Sequence, residues 1–165
     1  MNRRIADDRK ISDVYEGMWL EYRNEREAGG DLPETVKSRY GHVPEIWFEF
    51  ITTVQSIVSN DETTWFLCED DYDLQKDKAF QWNEWELISL ESIENDIEWE
   101  NEIKEFWNKH LPIILSVKDG YSYYAISMEN GSIVKGDEPE FEECELVADS
   151  FEDFMKKIMN HELQL

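Results

Sequence analysis

Apolar positions along the chain fall into blocks whose spacing switches between helical and alternating. From Asp8 to Glu27, the residues Ile11, Tyr15, Met18 and Tyr22 recur at helical spacing with charges between them. This predicts an amphipathic helix. Gly29-Gly30-Asp31 ends it, and Leu32-Pro33 begins a new direction. Val43-Pro44-Glu45 opens a second helix, because proline in the first turn lacks only an N–H that the helix does not use. Trp47, Phe50, Ile51, Val54 and Val58 continue it as an apolar stripe. Trp65-Phe66-Leu67-Cys68 is a short β-prone run, and Trp82 to Ile88 predicts another strand. Ser89 is placed to cap a short helix through Asp96, with Leu90 and Ile93 inward. Trp99, Ile103, Phe106 and Trp107 predict a further helix ending near His110. Trp47, Trp65, Trp99 and Trp107 are expected in the core.

The last third carries the clearest pattern. Leu111 to Val117 is an apolar strand, Tyr121 to Met128 is the next, and Ser132 to Lys135 returns. Asp119-Gly120 and Asn130-Gly131 between them are hairpin signals, since such turns require positive φ. Gly136 to Glu140 reads as a loop and Glu145 to Ala148 as an edge strand. Ser150, with Asp153 three residues on, starts a closing helix lined by Phe151, Phe154, Met155 and Ile158. The expected fold is a single α+β domain. A C-terminal antiparallel meander of three to four strands, plus one or two upstream strands, is flanked by N-terminal and C-terminal helices. Residues 1–40 are expected to form a helical extension packed on that domain.

Charge changes the picture. The chain of 165 residues has a net charge of −23, yet 41% of it is hydrophobic and it holds seven Trp. That apolar supply argues against disorder. Residues 1–40 carry 8 basic and 9 acidic side chains, which leaves 8 basic and 30 acidic in 41–165. Two stretches dominate. Asp61 to Asp77 contains Glu69-Asp70-Asp71-Tyr72-Asp73, and Asp137 to Asp153 contains no Lys or Arg. Such a surface repels nucleic acid and anionic membranes and attracts basic partners. It also serves plain solubility.

Cys68 and Cys144 form no CxxC or disulfide framework and read as two reduced thiols. Met1 to Asp13 holds charges without an apolar block, so no signal peptide is expected. No apolar run approaches the roughly 18 residues of a membrane span. The expected location is the cytoplasm.

Motifs for catalysis are missing: no GxSxG, HExxH, P-loop or GxGxxG occurs. His42, His110 and His161 are scattered near element ends. Asp71-x-Asp73-x-Gln75 resembles the start of a calcium loop, but the sixth position is not glycine and the twelfth is Trp82 rather than Glu. Carboxylate pairs abound, but acid/base work needs a pocket that perturbs them. The expectation is no catalytic residue, no cofactor and no metal. Candidate partner-binding residues are Glu69, Asp70, Asp71 and Asp73, together with Asp137, Glu138, Glu140, Glu142 and Glu143. Trp82 or Trp85, set between acidic stretches, is the expected apolar anchor.

Leu111-Pro112-Ile113, Asp119-Gly120-Tyr121-Ser122-Tyr123-Tyr124-Ala125-Ile126, Asn130-Gly131-Ser132-Ile133-Val134 and Val147-Ala148-x-Ser150-Phe151-x-x-Phe154 together resemble the SUKH superfamily. Val43-Pro44-Glu45-Ile46-Trp47-Phe48-Glu49-Phe50-Ile51 is similar to that family's opening helix. The match covers about residues 110–160, and more weakly 43–58. An Asn-Gly-Gly turn common after the first helix is replaced here by Ser59-Asn60-Asp61. The resemblance implies function by binding. Bacterial members are typically immunity proteins that neutralise a toxin encoded beside them, often a nuclease, and the family has no catalytic residues to carry over.

The acidic balance agrees with that implication, because a nuclease groove must be basic to hold phosphate. The expected partner is a cognate protein toxin with a basic nuclease domain, not nucleic acid or membrane. The chain itself is expected to be a monomer or a weak homodimer through the edge at Glu145 to Ala148. The competing expectation is a cytosolic scaffold or regulatory module with several partners of modest affinity. An enzyme built on a carboxylate pair would require a deep pocket where carboxylates converge.

Overall fold

The computed structural model describes residues 9–10, 18–22, 30–74 and 80–165. Among the described residues, eight strands form one sheet in chain order, every neighbouring pair antiparallel. They are β1 (Arg9–Lys10), β2 (Met18–Tyr22), β3 (Val54–Ser59), β4 (Thr64–Phe66), β5 (His110–Ser116), β6 (Ser122–Ser127), β7 (Ile133–Asp137) and β8 (Cys144–Ala148). The helices are α1 (Glu34–Tyr40), α2 (Glu45–Thr53), α3 (Glu84–Glu91), α4 (Ile97–Lys109) and α5 (Phe151–Met159). This is the α+β class expected, with the C-terminal meander in place.

Three upstream elements differ from the sequence reading. Met18–Tyr22 is a strand paired with β3, not the middle of a helix. Arg9–Lys10 is also strand, paired with β2, so the described part of the expected helical extension up to Tyr22 belongs to the sheet. Residues 8, 11–17 and 23–27 of the expected helix lie outside the described residues. The second helix stops at Thr53, and Val54 to Ser59 continues as β3. In both places the misleading signal was a spacing of four. Residues i and i+4 share a face in a helix and in a strand alike. At the α2–β3 junction, Thr52-Thr53-Val54 is a β-branched run, which favours extended backbone. The third difference runs the other way. Trp82 lies in a turn, and Glu84–Glu91 is helix α3 where a strand was expected, with Ser89 inside it rather than capping a later helix. Helical geometry puts Trp85, Glu86 and Ser89, all buried, on one face.

The strand pairing fixes what covers each side of the sheet. Successive residues of a strand face opposite ways. Tyr123 meets Trp85 of α3 and Trp107 of α4, whereas Tyr124 meets Phe154 of α5. Phe66 aligns with Ile114, and Ile114 with Tyr124. Phe50 of α2 touches both Phe66 and Phe151. So α3 and α4 lie on one face, and α2 and α5 on the other. The helical hairpin side is the more aromatic. There Trp85 and Trp107 stack with ring centres 6.3 Å apart, and Trp107 and Tyr123 are 4.9 Å apart.

The buried hydroxyls in this layer are bonded to main chain. Tyr40 Oη donates toward the carbonyls of Trp107 and His110, at 2.8 and 3.1 Å. Tyr72 Oη donates to the Pro112 carbonyl at 2.7 Å, and Tyr123 Oη to the Phe141 carbonyl. Burial pushes all three phenols up, so they remain neutral donors.

Gly136 of β7 is required by this packing. A Cβ there would lie 2.5 Å from Tyr123 Oη and 2.6 Å from the ring. Tyr123 cannot retreat, because Trp85, Trp107 and Phe141 surround it. Gly136→Ala is expected to destabilise the protein by about 2 kcal/mol through overpacking, measured as a lowered urea midpoint.

Candidate protein-binding surface

The two acidic runs singled out from sequence are both ordered, but they lie toward opposite ends of the strands. Thr64 aligns with Ser116, Ser116 with Ser122, and Ser122 with Asp137. The β7–β8 turn therefore leaves the sheet at the Thr64 end. Glu69–Tyr72 is a 3-10 turn that follows the other end of β4, next to the start of β5. The structure does not bring the two runs together as one patch.

The first run is partly interior. Glu69, Asp70, Asp71 and Asp73 are all half-buried, and Tyr72 between them is fully buried. The Asp71 carboxylate accepts the Cys68 N–H at 2.8 Å, which closes the turn. Asp70 and Asp71 also line an open groove of about 480 Å³ with Trp65, Phe80, Leu115 and Ser56. Among the described residues, no group of three or more His, Cys, Asp or Glu is arranged to hold a metal ion. His110 has its imidazole stacked on Phe106, and its Nδ1 donates to the Phe106 carbonyl at 2.8 Å. Burial holds that ring's pKa below the usual histidine value.

The second run is mostly exposed. Asp137, Glu138, Glu140 and Glu143 face solvent. Two of its members serve the fold instead. Phe141 is buried against Tyr123, and Glu142 accepts the Trp107 indole N–H at 2.7 Å. That bond ties the β7–β8 turn to α4.

The expected apolar anchor is a correction. Trp82 is 3% exposed and Trp85 is fully buried, so neither can reach a partner. Trp82 packs between Tyr40 and Tyr72, and Trp85 between Phe80, Trp107 and Tyr123. Trp85 is turned inward by helix α3 and Trp82 by the turn before it, where the expected strand would have faced one toward solvent.

Another apolar pair is exposed instead. Ile97 is 74% exposed and Trp99 is 49% exposed, both in the first turn of α4. Trp99, Ile103 and Trp107 fall at intervals of four, and the last two are 1% exposed. The stripe thus runs one turn beyond the core it covers, which is why spacing alone placed Trp99 inside. The tip is well built. Asp96 caps α4 by accepting the Trp99 N–H at 3.0 Å, and Glu98 and Glu100 sit favourably at the positive end of the helix dipole. From Ala79 to Ile103 the chain has no Lys or Arg and eight acids. That base-free stretch was a sequence signal for this surface, hidden by the absence of any consecutive acidic run. Trp99 lies two turns, roughly 12 Å, from Trp107 and its bond to Glu142. One helix therefore carries the apolar tip and holds the acidic β7–β8 turn.

No protein-family model matches the chain, and no curated protein or solved structure matches it. Cys68 is buried and Cys144 exposed. Among the described residues, no helix is long and apolar enough to cross a membrane.

Proposed function

We propose that this chain is a protein-binding inhibitor, an immunity protein of the SUKH type that neutralises a basic toxin domain, of which a nuclease is the leading case. The observation that carries the reading is the α3–α4 hairpin tip. It exposes Ile97 and Trp99 on a capped helix within a base-free acidic stretch. Exposed tryptophan is the side chain most enriched among interface hot spots. The surrounding acids steer a basic partner and repel acidic competitors. The acidic β7–β8 turn, held to the same helix, extends the footprint. A chain with two widely separated cysteines and no CxxC fits a reducing cytoplasm, where such an inhibitor protects its own cell.

The test is binding and inhibition with the toxin domain encoded next to the gene, at low and high salt. Tight stoichiometric binding that abolishes toxin activity is the expected result. Trp99→Ala should weaken it by about 30-fold, equivalent to about 2 kcal/mol. Glu98→Lys with Glu102→Lys should slow association and flatten its salt dependence. The Trp99→Ala midpoint should barely move, since that side chain is exposed, whereas Glu98→Lys should lower it slightly through the loss of a favourable charge at the start of α4. If the neighbouring domain fails to bind even at low salt, the toxin reading falls.

A further inference from the structure

We infer that the outer edge of β8 docks an extended basic segment of a protein partner, which adds to the sheet as a further strand. Strand β8 is last in the sheet order, with β7 on one side. Among the described residues, no backbone group outside β7 hydrogen-bonds to β8, and one side chain does. That bond runs from Lys157 Nζ to the Val147 carbonyl at 3.0 Å, near the end of the strand. Cys144, Glu145 and Leu146 are exposed. A strand edge of this kind presents a row of N–H and C=O groups ready to pair.

Side-chain rows point the same way. Pro112 aligns with Ala125, Ala125 with Val134, and Val134 with Leu146. This apolar row crosses four strands and ends on Leu146, which is 65% exposed. An incoming strand with an apolar residue opposite Leu146 would continue the row, and cross-strand pairs of that type stabilise a sheet.

Charge decides the occupant. Glu143, Glu145 and the exposed acids of the preceding turn flank Leu146, and no Lys or Arg occurs from Asp137 to Asp153. A second copy of this chain, paired edge to edge, would set these acids against their own images, which is destabilising. A segment alternating basic and apolar residues meets both features. Main-chain pairing would supply affinity and the Leu146 position specificity, as in strand addition generally. The inference rests on the reading of the chain as a protein binder, but it uses neither the hairpin tip nor the toxin's identity.

The experiment uses the full isotope-labelled chain and a short blocked peptide alternating lysine and valine. A second peptide of equal charge has its central valines replaced by proline, which stays extended but cannot donate. The alternating peptide should bind and raise hydrogen-exchange protection at the Cys144 and Leu146 amides, which point away from β7, while the Glu145 amide already faces Lys135. The proline peptide should bind about tenfold more weakly, having lost two or so main-chain bonds. Leu146→Lys and Glu145→Lys should each weaken the alternating peptide, and Trp99→Ala should not. Equal binding of both peptides, protection confined to other strands, or self-association through β8 would each overturn the inference. Peptide failure beside intact toxin inhibition removes only the edge. Peptide binding beside toxin failure removes only the toxin.

Discussion

Trp107→Ala is expected to lower the unfolding free energy by about 4 kcal/mol, at the high end for aromatic truncations. Three effects combine at this position. Trp107 is 1% exposed, stacks on Trp85 and touches Tyr123 and Phe106, so truncation leaves a cavity at the centre of the aromatic layer. The surrounding rings belong to α3, α4 and β6, elements too constrained to collapse into the space. Glu142 also loses its donor, and the β7–β8 turn loses its tie to α4. Trp107→Phe separates these effects. It keeps a ring in the layer but drops the N–H, and should cost about 1–2 kcal/mol. Trp99→Ala, on the same helical stripe, should change stability by less than about 0.5 kcal/mol. Chemical denaturation with an unchanged m-value would measure all three. Equal losses for Trp107→Ala and Trp99→Ala would show that the aromatic layer is not where the fold is held.

The contrast between these two tryptophans shows how far sequence can be read. A stripe at intervals of four records which side of a helix faces inward, but not where the underlying surface ends. Trp99 and Trp107 are equivalent in the pattern and opposite in exposure. The same interval is shared by helix and strand, so Met18 with Tyr22 and Val54 with Val58 looked helical while belonging to β2 and β3. Where the local signal has a single reading, sequence sufficed. Gly120 and Gly131 adopt positive φ in the two hairpin connections, although Asp119 does not and the β5–β6 connection is longer than the two-residue turn expected, and Ser150 accepts the Asp153 N–H at 3.0 Å at the start of α5. The acidic runs were legible as composition. That they lie toward opposite ends of the strands depends on the register of β4 to β7, which no local pattern encodes.

Arg39 and Glu86 provide the second large effect, and its sign depends on how the pair is removed. The guanidinium is bidentate on the Glu86 carboxylate, at 2.7 and 2.9 Å, and its Nε donates to Asn108 Oδ1 at 2.9 Å. The three residues lie on α1, α3 and α4, so the charge cluster joins the helices of one layer. Arg39 also lies over the Tyr40 and Trp82 rings, 5.6 and 5.9 Å from their centres. Side-chain exposure is only 19% and 10%. Arg39→Met strands a buried carboxylate, and Glu86→Leu strands a buried guanidinium. Each single change is expected to destabilise by about 3 kcal/mol, the range for breaking a buried pair. The double variant should cost far less than the two together, because neither charge is then left without its partner while most of the packing volume is retained. A coupling energy of about 2 kcal/mol or more in this double-mutant cycle would identify the pair as one unit. Strict additivity would instead assign Arg39 to its ring contacts, and the double variant should then lose the sum of the two single changes. Such a pair explains why α3 tolerates a glutamate on its inward face. A carboxylate that accepts two charged hydrogen bonds fixes the α1–α3–α4 arrangement by geometry, and the exposed tip of the α3–α4 hairpin depends on that arrangement for its position.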